Sequence, residues 1–151
     1  MAVGDFTIFD RAMPKLTNGV IDLDSHTFRA ILCSNSQALT ATFAGTSTDC
    51  RKADLTGEFS TGGGYTANGI ALSSVTLTRT LDVVVFDAAD LLWSALTLSN
   101  IAYLVIFDDT AANDDLLGFL EVNVGGTISP AGVDLSVTWD AADGIFKYRR
   151  A

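Results

Sequence analysis

Apolar and polar residues alternate with a period of two over much of the chain, and this pattern predicts β-strands. The clearest alternations run through residues 28–33, 75–78 and 133–139. Such alternation turns one face of a strand toward a core and the other toward solvent or a partner. Residues 83–86 and 101–107 are instead continuous apolar runs. They predict strands that are covered on both sides, or that are covered by another chain.

Glycine-containing turns separate these runs. They occur at Gly57, Gly62 to Gly64, Asn68-Gly69, Gly125-Gly126 and Gly132. Short strands at this spacing predict a mainly β protein, an antiparallel β-sandwich or jelly roll. The chain shows no linker, tandem repeat or low-complexity tract. We therefore expect one domain that spans residues 1–151.

The N-terminal segment has a different period, which predicts a short helix at about residues 5–17. Its apolar stripe consists of Phe6, Phe9, Met13 and Leu16. Pro14 limits the helix, because a proline in a helix interior loses a hydrogen bond and clashes one turn back. A helix that begins near Asp10 as N-cap would leave Phe6 and Phe9 ahead of it. The helix could cover an open end or face of the sheet, or form an arm that reaches a neighbouring subunit.

The composition narrows the possible partners. Of the 151 residues 48% are hydrophobic and 18% are charged, which argues against disorder. The longest apolar run, 101–107, is far shorter than the roughly 20 residues of a membrane helix. Residues 1–6 lack the basic start and apolar stretch of a secretion signal. A formal net charge of −9 repels DNA phosphates, so nucleic acid is not an expected partner. Because the apolar runs are short, a membrane is not an expected partner either.

Five of the nine lysine and arginine residues cluster in two groups, Arg51-Lys52 and a basic tail at 147–151 that carries Lys147, Arg149 and Arg150. The tail could be a solvated terminus or an electrostatic contact with a neighbouring subunit. The two cysteines are Cys33 and Cys50, and Cys33 is expected to be a buried small apolar residue.

The sequence offers little material for catalysis. His26 is the only histidine, and no nucleophile-elbow sequence accompanies it. The closely spaced Cys and His ligands of a zinc site are absent. Gly62 to Gly64 lacks the remainder of a phosphate-binding loop. We therefore predict no catalytic residue, no cofactor and no enzymatic activity.

The carboxylates are the remaining candidates for chemistry. Asp108, Asp109, Asp114 and Asp115 are weak calcium candidates, because calcium takes six to eight oxygen ligands. The alternative is a polar hairpin tip between strands at 101–107 and 116–122. Asp87 and Asp90 near Trp93 could suggest a sugar site, but we expect Trp93 and Trp139 to pack in the core.

Four segments together resemble a family of small tailed-phage virion proteins. They read NGVIDLDSHTFRAIL at 18–32, GGGYTANGIALSSVTLTRT at 62–80, FDAADLLWSALTLSNIAYLVIFDDTAANDDLLGF at 86–119 and VTWDAADGIF at 137–146. The resemblance covers most of the chain and is weakest at 34–52. It implies a β-rich structural protein of the virion. The family pattern usually has an acidic residue at the position of His26, which argues further against a catalytic imidazole.

The resemblance favours a capsid decoration (cement) protein, which would bind the major capsid protein of an assembled head as a homodimer or homotrimer. A tail, neck or fibre-associated structural protein is the alternative, and a carbohydrate- or receptor-binding module is a third. From position and expected exposure, not from the resemblance, we predict contacts through the loop at 34–52 and six individual residues. These are Phe6, Phe9, Met13, Lys147, Arg149 and Arg150.

Overall fold

The computed structural model describes residues 3–45 and 49–149. It is mainly antiparallel β-sheet with one short helix, as the sequence pattern predicts. The elements are β1 (Thr7–Ile8), α1 (Ala12–Thr17), β2 (Phe28–Ser34), a 3-10 turn (Lys52–Asp54), β3 (Ile70–Ala71), β4 (Thr76–Thr80), β5 (Val83–Asp87), β6 (Leu91–Thr97), β7 (Ile101–Asp108), β8 (Asp115–Glu121), β9 (Ala131–Val137) and β10 (Phe146–Arg149).

The strands form three antiparallel sheets. The largest has five strands in the order β1-β8-β7-β2-β3, the second has three in the order β10-β5-β4, and β6 and β9 form a two-stranded ribbon. One buried apolar cluster includes residues from all three sheets. This arrangement agrees with a β-sandwich, whereas the strand orders do not confirm a jelly roll.

The five-stranded sheet is the middle layer of the molecule. On one face, Phe28 of β2 meets Phe86 of β5 edge-on, with ring centroids 5.3 Å apart. On the other face, Phe119 of β8 packs against Phe9 at 5.1 Å, and Phe43 from the loop after β2 packs against Phe9. Covering on both faces explains the continuous apolar run of β7, and this chain itself supplies the cover.

The helix is shorter than the sequence predicts. It has six residues, Ala12–Thr17, and Arg11 rather than Asp10 precedes it, without a side-chain cap. The prediction of a helix from about residue 5 is wrong, because Thr7–Ile8 form β1 and pair with β8. Pro14 stands in the first turn, where a proline is tolerated. The helix ends as predicted at Asn18, whose N–H donates to the carbonyl of Pro14 at 3.1 Å.

The described residues contain no helix that is both long enough and apolar enough to cross a membrane.

Candidate interaction surface

Asp108, one of the four candidate calcium ligands, is fully buried at the end of β7 and makes hydrogen bonds within the fold. Its Oδ2 lies 2.6 Å from Nδ1 of His26. Its Oδ1 accepts the backbone N–H groups of Thr110 at 2.9 Å and Ala111 at 3.1 Å. Because a carboxylate only accepts, His26 donates from Nδ1 in this contact. Asp108 therefore ties the β7–β8 turn to the loop ahead of β2.

The other acids of this turn do not converge with Asp108. Asp115 is buried and forms an ion pair with Lys15 of α1. Asp109 is exposed, and Asp114 is half-buried with a positive φ of 49°. Among residues 3–45 and 49–149, no group of three or more His, Cys, Asp or Glu side chains could hold a metal ion. The geometry therefore favours a polar hairpin tip over a calcium site for these four aspartates. β7 and β8 pair as the two strands of this hairpin.

The two thiols are poor candidates for nucleophiles. Cys33 and Cys50 are free and buried. Burial, the largest cause, raises the pKa of each thiol to about 12. Both are therefore protonated at neutral pH, and the protonated thiol is not the reactive form.

The aromatic rings do not present a flat platform for a sugar. Trp93 is 3% exposed, and Tyr65 is 2% exposed. Trp139 is half-buried against the core, and its Nε1–H donates to the carbonyl of Ala89 at 3.2 Å. The prediction that both tryptophans pack on the core agrees with these positions.

The predicted N-terminal contact residues have different environments. Phe9 is fully buried between Phe43 and Phe119, so the exposure on which its prediction as a contact residue rests is wrong. Phe6 is half-buried and stacks on Phe146 at 5.5 Å. Met13 is 43% exposed on α1, so of these three side chains only Met13 offers a largely open surface.

The predicted basic tail is a strand up to residue 149. Lys147 and Arg149 are exposed on β10, where they pair with Val85 and Val83 of β5. Lys147 also forms an ion pair with Asp143 at 2.5 Å. The segment up to residue 149 therefore has a backbone hydrogen-bonded in a sheet, while both basic side chains remain exposed to solvent. Arg150 lies outside the described residues.

The loop at 34–52 lies partly in the core. Leu39 is 6% exposed, and Cys50 is fully buried. The carbonyl of Cys50 accepts the N–H of Leu116 of β8, and that of Ala41 accepts the N–H of Asp10. Residues 46–48 lie outside the described part. The loop thus serves first as a cover for the five-stranded sheet.

An open apolar groove lies between α1 and the three-stranded sheet. Its volume is about 340 Å³. Apolar side chains line most of it, namely Met13, Leu16, Ile21, Leu23, Leu77 and Tyr148. Asp22 stands at its rim and accepts hydrogen bonds from the Ser25 hydroxyl at 2.7 Å and the Asp24 N–H at 3.0 Å. These bonds lower the pKa of Asp22 below its usual value, so the rim is negatively charged at neutral pH.

The β4–β5 hairpin extends beyond this groove. Its tip is Leu81, which is 86% exposed and has a φ of 54°. A second hollow of about 300 Å³ adjoins the tip, and its lining includes Arg79, Leu81, Asp82, Tyr148 and Arg149. Tyr148 lines both hollows, so the groove and the hairpin tip adjoin on one side of the molecule.

The sequence pattern does not predict this groove and hairpin tip. The alternation at 75–78 correctly predicts a strand but would turn Leu77 toward the core, whereas all of β4 is exposed and Leu77 is 36% exposed. One local signal was present. Leu81-Asp82 joins two strand-like segments at a position where glycine or asparagine is usual in a two-residue hairpin.

Comparison with protein-family models, with curated proteins and with solved structures found no match of any of the three kinds. The resemblance to phage virion proteins therefore stays a prediction.

Proposed function

We propose that this protein is a structural component of a tailed-phage virion, which binds the assembled head as a decoration protein and stabilises it. The observation that carries the proposal is the order and spacing of the four sequence segments at 18–32, 62–80, 86–119 and 137–146. The antiparallel β architecture supports it, because the resemblance implies a β-rich protein.

The four segments occupy structurally important positions in the fold. The first leads into β2, and the third contains β6 and the β7–β8 hairpin of the middle sheet. The last forms the turn that starts β10 and contains Gly144, whose φ is 60°. The resemblance therefore rests on residues that form strands and turns of the fold. We propose the virion role for the whole domain and not for one local motif.

Such a protein acts by binding and needs no chemical step. Any molecule that binds the assembled shell but not its separate subunits stabilises the shell by mass action. At a free concentration of 100 times Kd this gain is about 2.7 kcal/mol for each site. The major capsid protein would be the partner, and the symmetric lattice of a head suits a homodimer or homotrimer.

Rebinding to heads tests this proposal. Heads from phage that lack the protein would be mixed with the purified chain and sedimented. We expect the chain to sediment with the heads in a fixed ratio to the capsid protein, and the decorated heads to retain their DNA at a higher temperature than undecorated ones. Failure to sediment with heads would overturn the proposal.

The matched control uses isolated tails from the same phage. Sedimentation with tails but not with heads would replace the decoration function by the tail or neck component. Of the three rings that a sugar-binding module could use, Trp93 and Tyr65 are buried and Tyr103 is half-buried.

A further inference from the structure

We propose that two copies of this chain form a reciprocal dimer, in which Leu81 at the β4–β5 tip of each copy enters the apolar groove between α1 and the three-stranded sheet of the other. This inference deepens the oligomeric part of the proposed function by naming the surface and its occupant.

The first observation is the placement of Leu81. Thr80 and Val83 pair with each other, so Leu81 and Asp82 form a two-residue loop. The φ of 54° at Leu81 is a left-handed conformation that a bulky side chain rarely adopts and that glycine or asparagine adopts easily. The fold thus holds a leucine in a strained backbone conformation and exposes 86% of it to water. An apolar contact with another molecule would compensate for both costs.

The second observation is a groove on the same chain that suits such a side chain. It is open to solvent, since Met13 at one wall is 43% exposed and Leu77 at the other is 36% exposed. Its volume of about 340 Å³ leaves room for a branched aliphatic side chain. Insertion of Leu81 would remove the exposed parts of Met13 and Leu77 from water together with its own surface.

The third observation is charge complementarity. Arg79 lies beside the Leu81 tip and forms no ion pair within residues 3–45 and 49–149. Arg79 and the groove-lining Tyr148 both pair with Val84, so they share one face of the three-stranded sheet, whereas Arg149 pairs with Val83 on the opposite face. The rim of the groove carries the ionised Asp22. Insertion therefore brings the guanidinium group of Arg79 of one copy toward the rim carboxylate of the other.

The occupant is a second copy because one chain carries both halves of the contact. A two-fold interface requires the same surface patch on both subunits, with each residue pair occurring twice. Tyr148 borders both the groove and the hollow at the tip, so the two halves lie side by side as a two-fold contact requires.

Sedimentation velocity over a range of protein concentrations tests this dimer. We expect the wild type to form dimers, and Leu81→Asn to raise the dissociation constant by about tenfold or more, because it removes a central apolar anchor. Asparagine suits the positive φ, so Leu81→Asn should melt at the same temperature as the wild-type monomer or higher. Leu92→Asn, at an exposed leucine on β6, is the control and should leave the dimer unchanged.

A mixing experiment separates the inserted residue from the groove. Leu81→Asn lacks the inserted residue but keeps the groove, whereas Leu77→Asp keeps the inserted residue but spoils the groove. Each variant alone should be monomeric, and an equimolar mixture should form heterodimers through one intact contact.

A wild-type monomer, or a dimer that survives Leu81→Asn, would overturn the inference. A closed trimer that Leu81→Asn dissolves would overturn the two-fold arrangement. If the wild type is a monomer that still binds heads, the dimer is overturned and the proposed function stands. If the wild type is a Leu81-dependent dimer that binds no heads, the proposed function is overturned and the dimer stands.

Discussion

Gly69 shows how a single residue connects the sequence motif to the fold. Its φ is 61°, and a Cβ added there would lie 1.9 Å from the carbonyl oxygen of Ala30 on β2. Gly125 has a similar φ of 71°, but a Cβ added there meets nothing within 4 Å. Both glycines adopt the positive φ that their turns require, but only Gly69 also lets its turn approach the middle sheet closely.

The two glycines therefore give a matched pair of variants. We expect Gly125→Ala to lower the free energy of unfolding by about 1 kcal/mol, the ordinary cost of a left-handed alanine. Gly69→Ala should lower it by at least about 3 kcal/mol, because the backbone of β2 must also move. Urea denaturation measures both values, and equal losses would contradict the close packing of this turn against β2.

Exposed aspartates at turns determine part of the response to acid. Asp140 accepts the N–H groups of Ala142 at 2.8 Å and Asp143 at 2.9 Å, and these two bonds lower its pKa below the usual value. A carboxyl group whose pKa is lower in the folded state contributes stability above its unfolded pKa, and this stability is lost as the pH falls through the folded pKa.

Replacement of Asp140 should therefore weaken the dependence of stability on pH. Between about pH 5 and about pH 2 we expect Asp140→Asn to lose less free energy of unfolding than the wild type. Urea titrations at several pH values in this range measure the difference. If the two proteins lose the same amount, the Asp140 hydrogen bonds do not contribute to acid stability.

At the scale of elements, buried acids attach the β7–β8 hairpin to its surroundings. Asp108 accepts three donors, from His26, Thr110 and Ala111. Asp115 pairs with Lys15 and so connects β8 to α1. The hairpin is therefore fixed at its turn as well as by its ladder of backbone hydrogen bonds.

Asp108→Ala should lower the free energy of unfolding by about 2 kcal/mol, because it removes the buried acceptor of three part-buried hydrogen bonds. The exposed neighbour provides the control, and Asp109→Ala should change it by no more than about 0.5 kcal/mol. Thermal or urea unfolding distinguishes the two. If calcium chloride raises the Tm of the wild type but not of Asp108→Ala, the acids form a cation site and this account of the turn is wrong.

Elements could be predicted from the sequence where the local pattern and the tertiary contacts agree. The period of two correctly indicates β2 and β9, and the apolar run correctly indicates β7. The helical spacing of Phe6 and Phe9 misleads, because these rings instead pack on Phe146 and Phe119 from either end of the extended β1. The exposure of β4 could not be predicted. Leu77 shares a face with the buried Phe86, as the alternation predicts, but at β4 this face borders an open groove.

At the scale of the whole molecule, the candidate surface combines parts that are distant in sequence. Met13 comes from α1, Leu77 and Leu81 from the β4–β5 hairpin and Tyr148 from β10. The sequence indicated Met13, Lys147 and Arg149 as contact residues from their expected exposure. It could not indicate that α1 and two strands enclose a groove, because no local pattern encodes their proximity.

Because the net charge of the protein is −9, unpaired positive charges on this surface stand out from the rest of the molecule. Lys15, Lys52 and Lys147 are paired with carboxylates of the same chain. Arg79 and Arg149 form no such pair within the described residues and lie near the hairpin tip on opposite faces of its sheet, with Asp82 in the tip itself. An acidic molecule that presents arginines beside an exposed leucine has one surface suited to an acidic protein partner, and this favours function through assembly.

The central claim is that the protein belongs to the phage head, and immunogold electron microscopy of intact virions tests it most directly. An antibody raised against the purified chain would be applied to virions, with virions that lack the protein as the control. We expect gold particles to be spread over the head surface and to be absent from the tail and from the control. Gold confined to the tail or neck, or no gold on any virion, would contradict the account.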